Sequence, residues 1–566
     1  MKRLIKASML LMVVALFAAC ANEDIAQDKK KENGTEAPKG GVVFATNDTK
    51  ISAKRRFIDE DEFAGVKTRT TIKHTPGQGA EAYWTSDDFI WVKKQDGTWA
   101  KSTAITLHDG GASAEFTLPG SKTDYADGCE VRYTGTKAYY SGTLGAYSVF
   151  IPYQQSRTVA NDFSKAGEWG DCGSGKAHNT GNPTKFNFTL EHKSAYLCFL
   201  PRCTNAVLAS NIQLKGIKIT ATNSMSGGFI GDQCGFDGDN VSSSGGSPFG
   251  QDYIDVTLPG FPLSTTENQA ANATYLVVPP DTYDFRIEYT IKDPTTNVET
   301  VVTDIRTGIT LDKGNIYDVT ANLIPKAGGG LSPKDYRYYM WDAQQHYWSG
   351  YESYQPVINN TQGQNWPQSK ATASQRWFND GNSGTYASPK RYDAQTSLFK
   401  TYPNRNENIW YVMKGDAHWG NNAVVDNGHL RAINGVWLRK KSAIVRYLIA
   451  NEGYPSSFSE NDLKEGYKTS VWAAPIDYRN ISGSLFKKTG ISQGNPSNIT
   501  DYFFLPAAGF YNQGWLLFFN EVGRYWTSSA FPGGEGDYAL SLYFKQNEIG
   551  TENLARGLGF SAGVFE

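Results

Sequence analysis

Short runs of alternating apolar and polar residues, separated by Gly-, Asn- and Ser-rich turns, constrain this chain most. In "FNFTLEHKSAYLCFL", Phe186, Phe188 and Leu190 alternate with Asn187, Thr189 and Glu191. That period of two puts them on one face of a strand. "ATYLVVPP" and "YDFRIEYTI" repeat the pattern, and "GDQCGFDGDNVSSSGGSPFG" is a long turn-forming spacer. Such a chain buries its apolar faces by packing sheet on sheet, so an antiparallel β-sandwich of Greek-key type is expected over residues 66–325.

A Gly/Pro stretch, "IPKAGGGLSPKD", follows the last of these strands and is expected to be a linker over 326–335. Composition changes across it. Trp84, Trp91, Trp99 and Trp169 precede it and the other ten of fourteen tryptophans follow, whereas every internal cysteine precedes it. Residues 336–566 are therefore read as a second domain of α+β type. Its clearest helix is "KKSAIVRYLIANEG", with Ile444, Leu448 and Ile449 on one face and Gly453 as the stop. A second is expected from Ser459, with Asp462 three residues on. The whole is mainly β.

The first residues carry a different signal. Lys2, Arg3 and Lys6 precede an apolar run from Ala7 to Ala19, too short to span a bilayer, which ends at Cys20. Residues 1–19 read as a signal peptide. Residues 20–65 are polar and charged, and read as a flexible leader or propeptide. An ordinary secretory signal with a chance cysteine is the alternative.

Several functions lack their residues. A formal charge of −2 with interspersed signs argues against a nucleic-acid partner. Cys129, Cys172, Cys198, Cys203 and Cys234 fit no zinc spacing; five is odd, so at least one stays free, and one or two disulfides remain open. "GFDGDN" at 235–240 lacks calcium-loop spacing and reads as a polar turn. No HExxH, G-x-S-x-G or Walker pattern occurs. No catalytic residue, metal site or cofactor is expected, and the chain is read as a non-enzyme.

The order of "RTTI" (69–72), "YWTSDDFIWV" (83–92), "FTLEHKSAYLCFL" (188–200), "YLVVPP" and "LDKGNIYDVTANL" resembles the fimbrillin superfamily of type V pili, over roughly residues 43–325. The Ala18–Ala19–Cys20 segment resembles a bacterial lipobox. The resemblance implies lipidation at Cys20, an outer-membrane and cell-surface location, and removal of an N-terminal segment by an arginine-specific protease. Arg55, Arg56 and Arg69 are the candidate cut sites, although Arg55 and Arg56 are equally readable as a solvated basic pair. It further implies partnership with other pilin subunits by donor-strand pairing. His192 falls in a motif and is read as structural.

"FLPAAGF" (504–510), "YWTSSA" (525–530), "YALSLYF" (538–544) and "RGLGFSAGVF" (556–565) resemble the C-type-lectin-like fold, in the variant of formylglycine-generating-type and FISUMP domains. The absence of cysteine beyond Cys234 removes the copper chemistry of the former. The second domain occupies the position from which a stalk subunit donates its strand, which suggests a tip or adhesin subunit. Candidate ligand contacts are Tyr511, Asn512, Gln513, Trp515, Phe531, Glu535, Asp537, His418, Trp419 and Asn421, where aromatic rings and amides occur together. Packing is the competing explanation for each ring, and Trp526 is read as core. The partner is a host or bacterial surface glycan or protein. The alternative is a lipid-anchored, non-polymerising glycan-binding protein.

Overall fold

The computed structural model describes residues 41–46, 54–57, 71–75, 79–137, 139–141, 146–224, 230–242, 250–325, 330–381, 385, 387–483, 485–533, 537–561 and 565. Cys20, Arg69 and Glu535 lie outside them. Sheets dominate throughout, as the alternating runs require, and the described residues pack them around six clusters of buried apolar side chains.

The first core belongs to a nine-stranded sheet that begins with β1, Gly41–Thr46. β1 lies between two strands, parallel to Lys185–Phe188 and antiparallel to Ser113–Pro119. Val42 and Phe44 point into a core with Trp84, Phe116, Tyr133, Phe186 and Phe188. A fully flexible leader over 20–65 is thus corrected. "GVVFAT" carries enough apolar surface to hold a strand, and a second strand, β2 (Lys54–Phe57), follows.

β2 forms the edge of a four-stranded sheet, parallel to Asn315–Asn322, which in turn is parallel to Ala195–Arg202. A hairpin of β3 (Thr71–Thr75) and β4 (Gly79–Tyr83) follows. Ala80 and Ala82 of β4 cluster with Tyr196, Cys198, Tyr275 and Ile316 of the four-stranded sheet. The opposite-facing residues of that sheet, Leu197, Phe199 and Val319, pack in a large core with the five-stranded sheet whose centre is Gln213–Ser224 and Asp281–Asp293. So residues 41–325 pair mostly antiparallel, with parallel pairs at β1, at β2, between Ala195–Arg202 and Asn315–Asn322, and between Gln154–Ser156 and Tyr253–Pro262, around three clusters of buried residues rather than one core. His192 is buried, its Nδ1 2.8 Å from Asp171 Oδ1, a structural placement.

The second half pairs its first and last described strands. Tyr338–Tyr339 runs antiparallel to Gly559–Ser561, which also pairs Ala508–Asn512 within an eight-stranded sheet. A separate four-stranded sheet is built on the His418–Asp426 and His429–Arg439 hairpin. The Lys441–Glu452 helix ends at Gly453 with φ 74°, and Glu460–Glu465 starts with a Ser459–Asp462 capping box. The Arg405–Lys414 helix was not anticipated. Asn404 caps it by accepting from Glu407 N, and nearly all its residues are buried, so no polar face marks it in sequence.

The halves touch. Asp293, on the five-stranded sheet, accepts hydrogen bonds from His429 Nδ1 (2.9 Å) and Leu430 N (3.1 Å). Leu430 joins the large core of the first half.

Candidate functional site

Two places have the geometry for recognition: the position filled by β1 in the first half, and an exposed aromatic and amide surface in the second.

β1 is a six-residue strand with paired neighbours on both sides. Phe44 stacks on Phe186 and meets the edge of Tyr125 at 5.2 Å. Burial of Val42 and Phe44 contributes about 1.5–3 kcal/mol each. Everything that connects β1 to the strands it pairs with runs through β2 and the segment holding Arg69. Arg55 and Arg56 sit on β2 itself, in register with Ile316 and Tyr317. They are therefore strand residues, not members of an unstructured leader. Cutting after either would remove β1 and half or more of β2 from covalent linkage. It would vacate one interior and one edge position.

In the second half, Asn512, Gln513 and Trp515 meet at one hairpin tip. Ala508–Asn512 and Trp515–Phe519 pair with Asn512 opposite Trp515, and the two linking residues, Gln513 and Gly514, have φ of 47° and 82°. Two successive positive φ values make the tight turn that suits the strand twist. Asn512 and Gln513 are exposed, and Trp515 is 42% exposed. Gln362 extends this tip: its Nε2 donates to Gln513 O at 2.7 Å, and its backbone bridges to Trp515. The segment leading to Gln362 presents Tyr351, Tyr354, Val357 and Ile358 to solvent. The mixture of rings and amides in "YESYQPVINNTQGQNW" was the signal that sequence reasoning passed over.

Other candidates separate from this tip. Tyr511 is fully buried, its hydroxyl donating to Pro356 O at 2.6 Å and its ring packed on Tyr338, Tyr347 and Trp348. It is a core residue, because strand alternation turns it away from the face that Asn512 shares with solvent. Phe531 is buried as well and is likewise withdrawn as a ligand contact. Asp537 is exposed, its carbonyl accepting from Arg556 N. His418 and Trp419 lie on the other sheet. His418 Nε2 is 3.6 Å from Asp416 Oδ2, and Trp419 packs partly on core beside Phe544. Asn421 is exposed, and its N–H donates to Asn495 Oδ1. Burial works against the charge of Asp416, but hydrogen bonding from Tyr502 and the Arg439 guanidinium hold its pKa below the ordinary carboxylate range. That network is self-satisfied. Trp526 is core, as read.

No disulfide joins the five described cysteines, and all five are buried. The "GFDGDN" stretch closes as a turn, with Asp237 Oδ1 accepting from the N–H groups of Asp239 and Asn240.

No protein-family model matches the chain, and no curated protein matches it. Among solved structures it is similar to a proposed cell adhesion protein from Bacteroides fragilis NCTC 9343, at 11% identity and a TM-score of 0.29, covering 51% of this chain and 95% of that one. The fimbrial anchor protein Mfa2 from Porphyromonas gingivalis aligns at 10% identity and a TM-score of 0.22, covering 48% and 89%. A fimbrial protein from Bacteroides ovatus ATCC 8483 aligns at 10% identity and a TM-score of 0.20, covering 93% and 99%. Scores this low do not establish a shared fold, and the functional reading rests on the chain's own residues.

Proposed function

We propose that this chain is a cell-surface fimbrial subunit of tip or adhesin type, which accepts a strand through its first half and binds a ligand through its second. The carrying observation is the position of β1: interior to a sheet, apolar on its inward face, and joined to the rest only through the candidate arginines. In this scheme the chain is exported and lipidated at Cys20, then cut after Arg55, Arg56 or Arg69. The freed β1 is held by side-chain burial and ladder hydrogen bonds alone. Its loss would leave unpaired N–H and C=O groups on both flanking strands beside an empty apolar groove. A strand of matching alternation from a neighbour fills such a gap by β-strand addition.

The chain's own last described strand, Gly559–Ser561, is engaged on both sides in the second half. That engagement favours an acceptor over a donor. The exposed rings and amides around Trp515 and Gln362 would then face the ligand, a surface glycan or protein. Rings stack on sugar faces, and amides hydrogen-bond hydroxyls.

The test is a shortened chain beginning at Phe57, mixed with a synthetic peptide of residues 39–48. One peptide is expected to bind per chain, and a Phe44→Ala peptide to bind roughly a hundredfold or more weaker. A shortened chain that stays monomeric, keeps full thermal stability and ignores the peptide would remove strand acceptance. It would leave a tethered, non-polymerising binding protein.

A further inference from the structure

Three metal-ligating side chains from three remote strands converge at the β3–β4 hairpin. His74 comes from β3, Cys198 from Ala195–Arg202 and Asp318 from Asn315–Asn322. All three are buried, and one ligand atom from each lies within 4.8 Å of the others. His74 Nε2 donates to Asp318 Oδ1 at 2.7 Å, with both side chains wholly out of solvent. Cys198 and Asp318 are register partners in the parallel pair, which places them side by side.

We propose that His74, Cys198 and Asp318 form a structural site for a divalent transition-metal ion, with zinc the best match. Donor chemistry selects the ion class: one imidazole nitrogen, one thiolate sulfur and one carboxylate oxygen suit zinc, whereas calcium and magnesium take oxygen ligands. Charge balance agrees. A thiolate and a carboxylate carry two negative charges and a neutral imidazole none, so the set neutralises a divalent cation in a region where unpaired charge is costly. Binding would release the thiol proton and shift the imidazole proton of His74 from Nε2 to Nδ1, and the His74–Asp318 hydrogen bond would give way to two metal bonds. Closing the three donors around an ion with bonds of about 2.0–2.3 Å requires shifts of about an ångström.

The surroundings hold the donors in place. The Tyr275 ring meets His74 edge-on at 6.0 Å, and its hydroxyl donates to Asn161 Oδ1 at 2.7 Å. Gln269 Nε2 donates both to His74 O and to Tyr275 Oη. Such supporting contacts orient ligands and tune affinity. Ala82, Tyr196, Leu200 and Ile316 cluster with Cys198, so the donors sit in an apolar surround that suits a structural ion, with one water as the fourth ligand of a tetrahedron. β3 and β4 pair only with each other among the described residues. An ion here would pin that hairpin to the sheet. The absence of a metal site expected from sequence spacing is revised by this proposal, since His74 and Asp318 are 244 residues apart.

The experiment uses the full chain. Protein purified without added metal or chelator is expected to carry one zinc per chain by elemental analysis. After zinc is exchanged for cobalt, a near-ultraviolet thiolate-to-cobalt band is expected together with the strong visible bands of a tetrahedral ion. Cys198→Ser should abolish the thiolate band, and His74→Gln should reduce zinc to background. If either variant fails to fold, X-ray absorption on the wild-type protein must show one sulfur among nitrogen and oxygen ligands. Zinc-free protein with no thiolate band on cobalt addition overturns the proposal, as does metal retained unchanged in both variants.

Discussion

Phe44 lies on Phe186 with ring centroids 4.9 Å apart and planes 10° from parallel, so the first described strand of the chain is stacked into the middle of its first sheet. The contact crosses a parallel strand pair in which the two residues are direct partners. It joins the segment that the proposed cleavage would release to the sheet that would remain.

Phe44→Ala in the uncut chain is expected to cost about 3–5 kcal/mol, the usual range for removing a fully buried ring. Denaturant unfolding followed by tryptophan fluorescence, to which Trp84 contributes from the same core beside Phe116, reads it. A loss under about 1 kcal/mol would mean that β1 contributes little to this core.

At the contact between halves, burial works against the charge of Asp293. Hydrogen bonds from His429 and from the N–H groups of Thr296, Leu430 and Thr295 overcome it and hold the pKa below the usual carboxylate value. A carboxyl depressed in the folded state adds stability that is complete above its unfolded pKa of about 4 and is lost as pH falls through the folded value. Asp293→Asn should therefore be less stable than wild type at pH 7, with the gap closing as the medium is acidified below about pH 4. Denaturant midpoints across that range measure it; a gap that widens toward acid would be the contrary result.

Tyr511 and Trp515, four residues apart, should behave oppositely. Tyr511→Ala removes a buried ring and is expected to lose about 3–5 kcal/mol of stability, whereas Tyr511→Phe forfeits one hydrogen bond, about 1 kcal/mol. Trp515→Ala at the exposed tip should stay within about 0.5 kcal/mol of wild type and weaken retention on a panel of surface glycans and matrix proteins. Equal melting losses in Tyr511→Ala and Trp515→Ala would contradict the division into core and surface.

The cysteines give a chemical check. Burial pushes the thiol of Cys129 up to about 11 and raises those of Cys172 and Cys203 as well. A thiol reagent at pH 8 should label almost none of the five internal cysteines in the native chain and all five after denaturation without reductant. Fewer than five would reveal a disulfide.

Strand pattern was legible where one face is wet. "YDFRIEYTI" alternates cleanly because only one side of that strand is buried, and the Lys441–Glu452 helix declared itself by its apolar face and Gly453. The Arg405–Lys414 helix did not, since burial of Asn406, Glu407 and Asn408 beside Ile409 and Trp410 erases the polar stripe that a periodicity test needs. β1 was hidden by the charged residues around it, six apolar and small residues being a weak signal until paired. At the candidate surface, Asn512, Gln513 and Trp515 were singled out because turn residues and a ring coincide, and the hairpin brings them to one exposed tip. Tyr511 was misplaced because the same motif does not say which face a residue occupies. Gln362 was missed because only the fold brings it to Gln513.

The most direct measurement of the central claim is the N-terminal residue and intact mass of the protein taken from the surface of its own cells. The account predicts a chain that begins at Arg56, Phe57 or Thr70, without lipid, travelling with high-molecular-weight fibres. A lipid-bearing chain that begins at Cys20 and migrates as a monomer would contradict it.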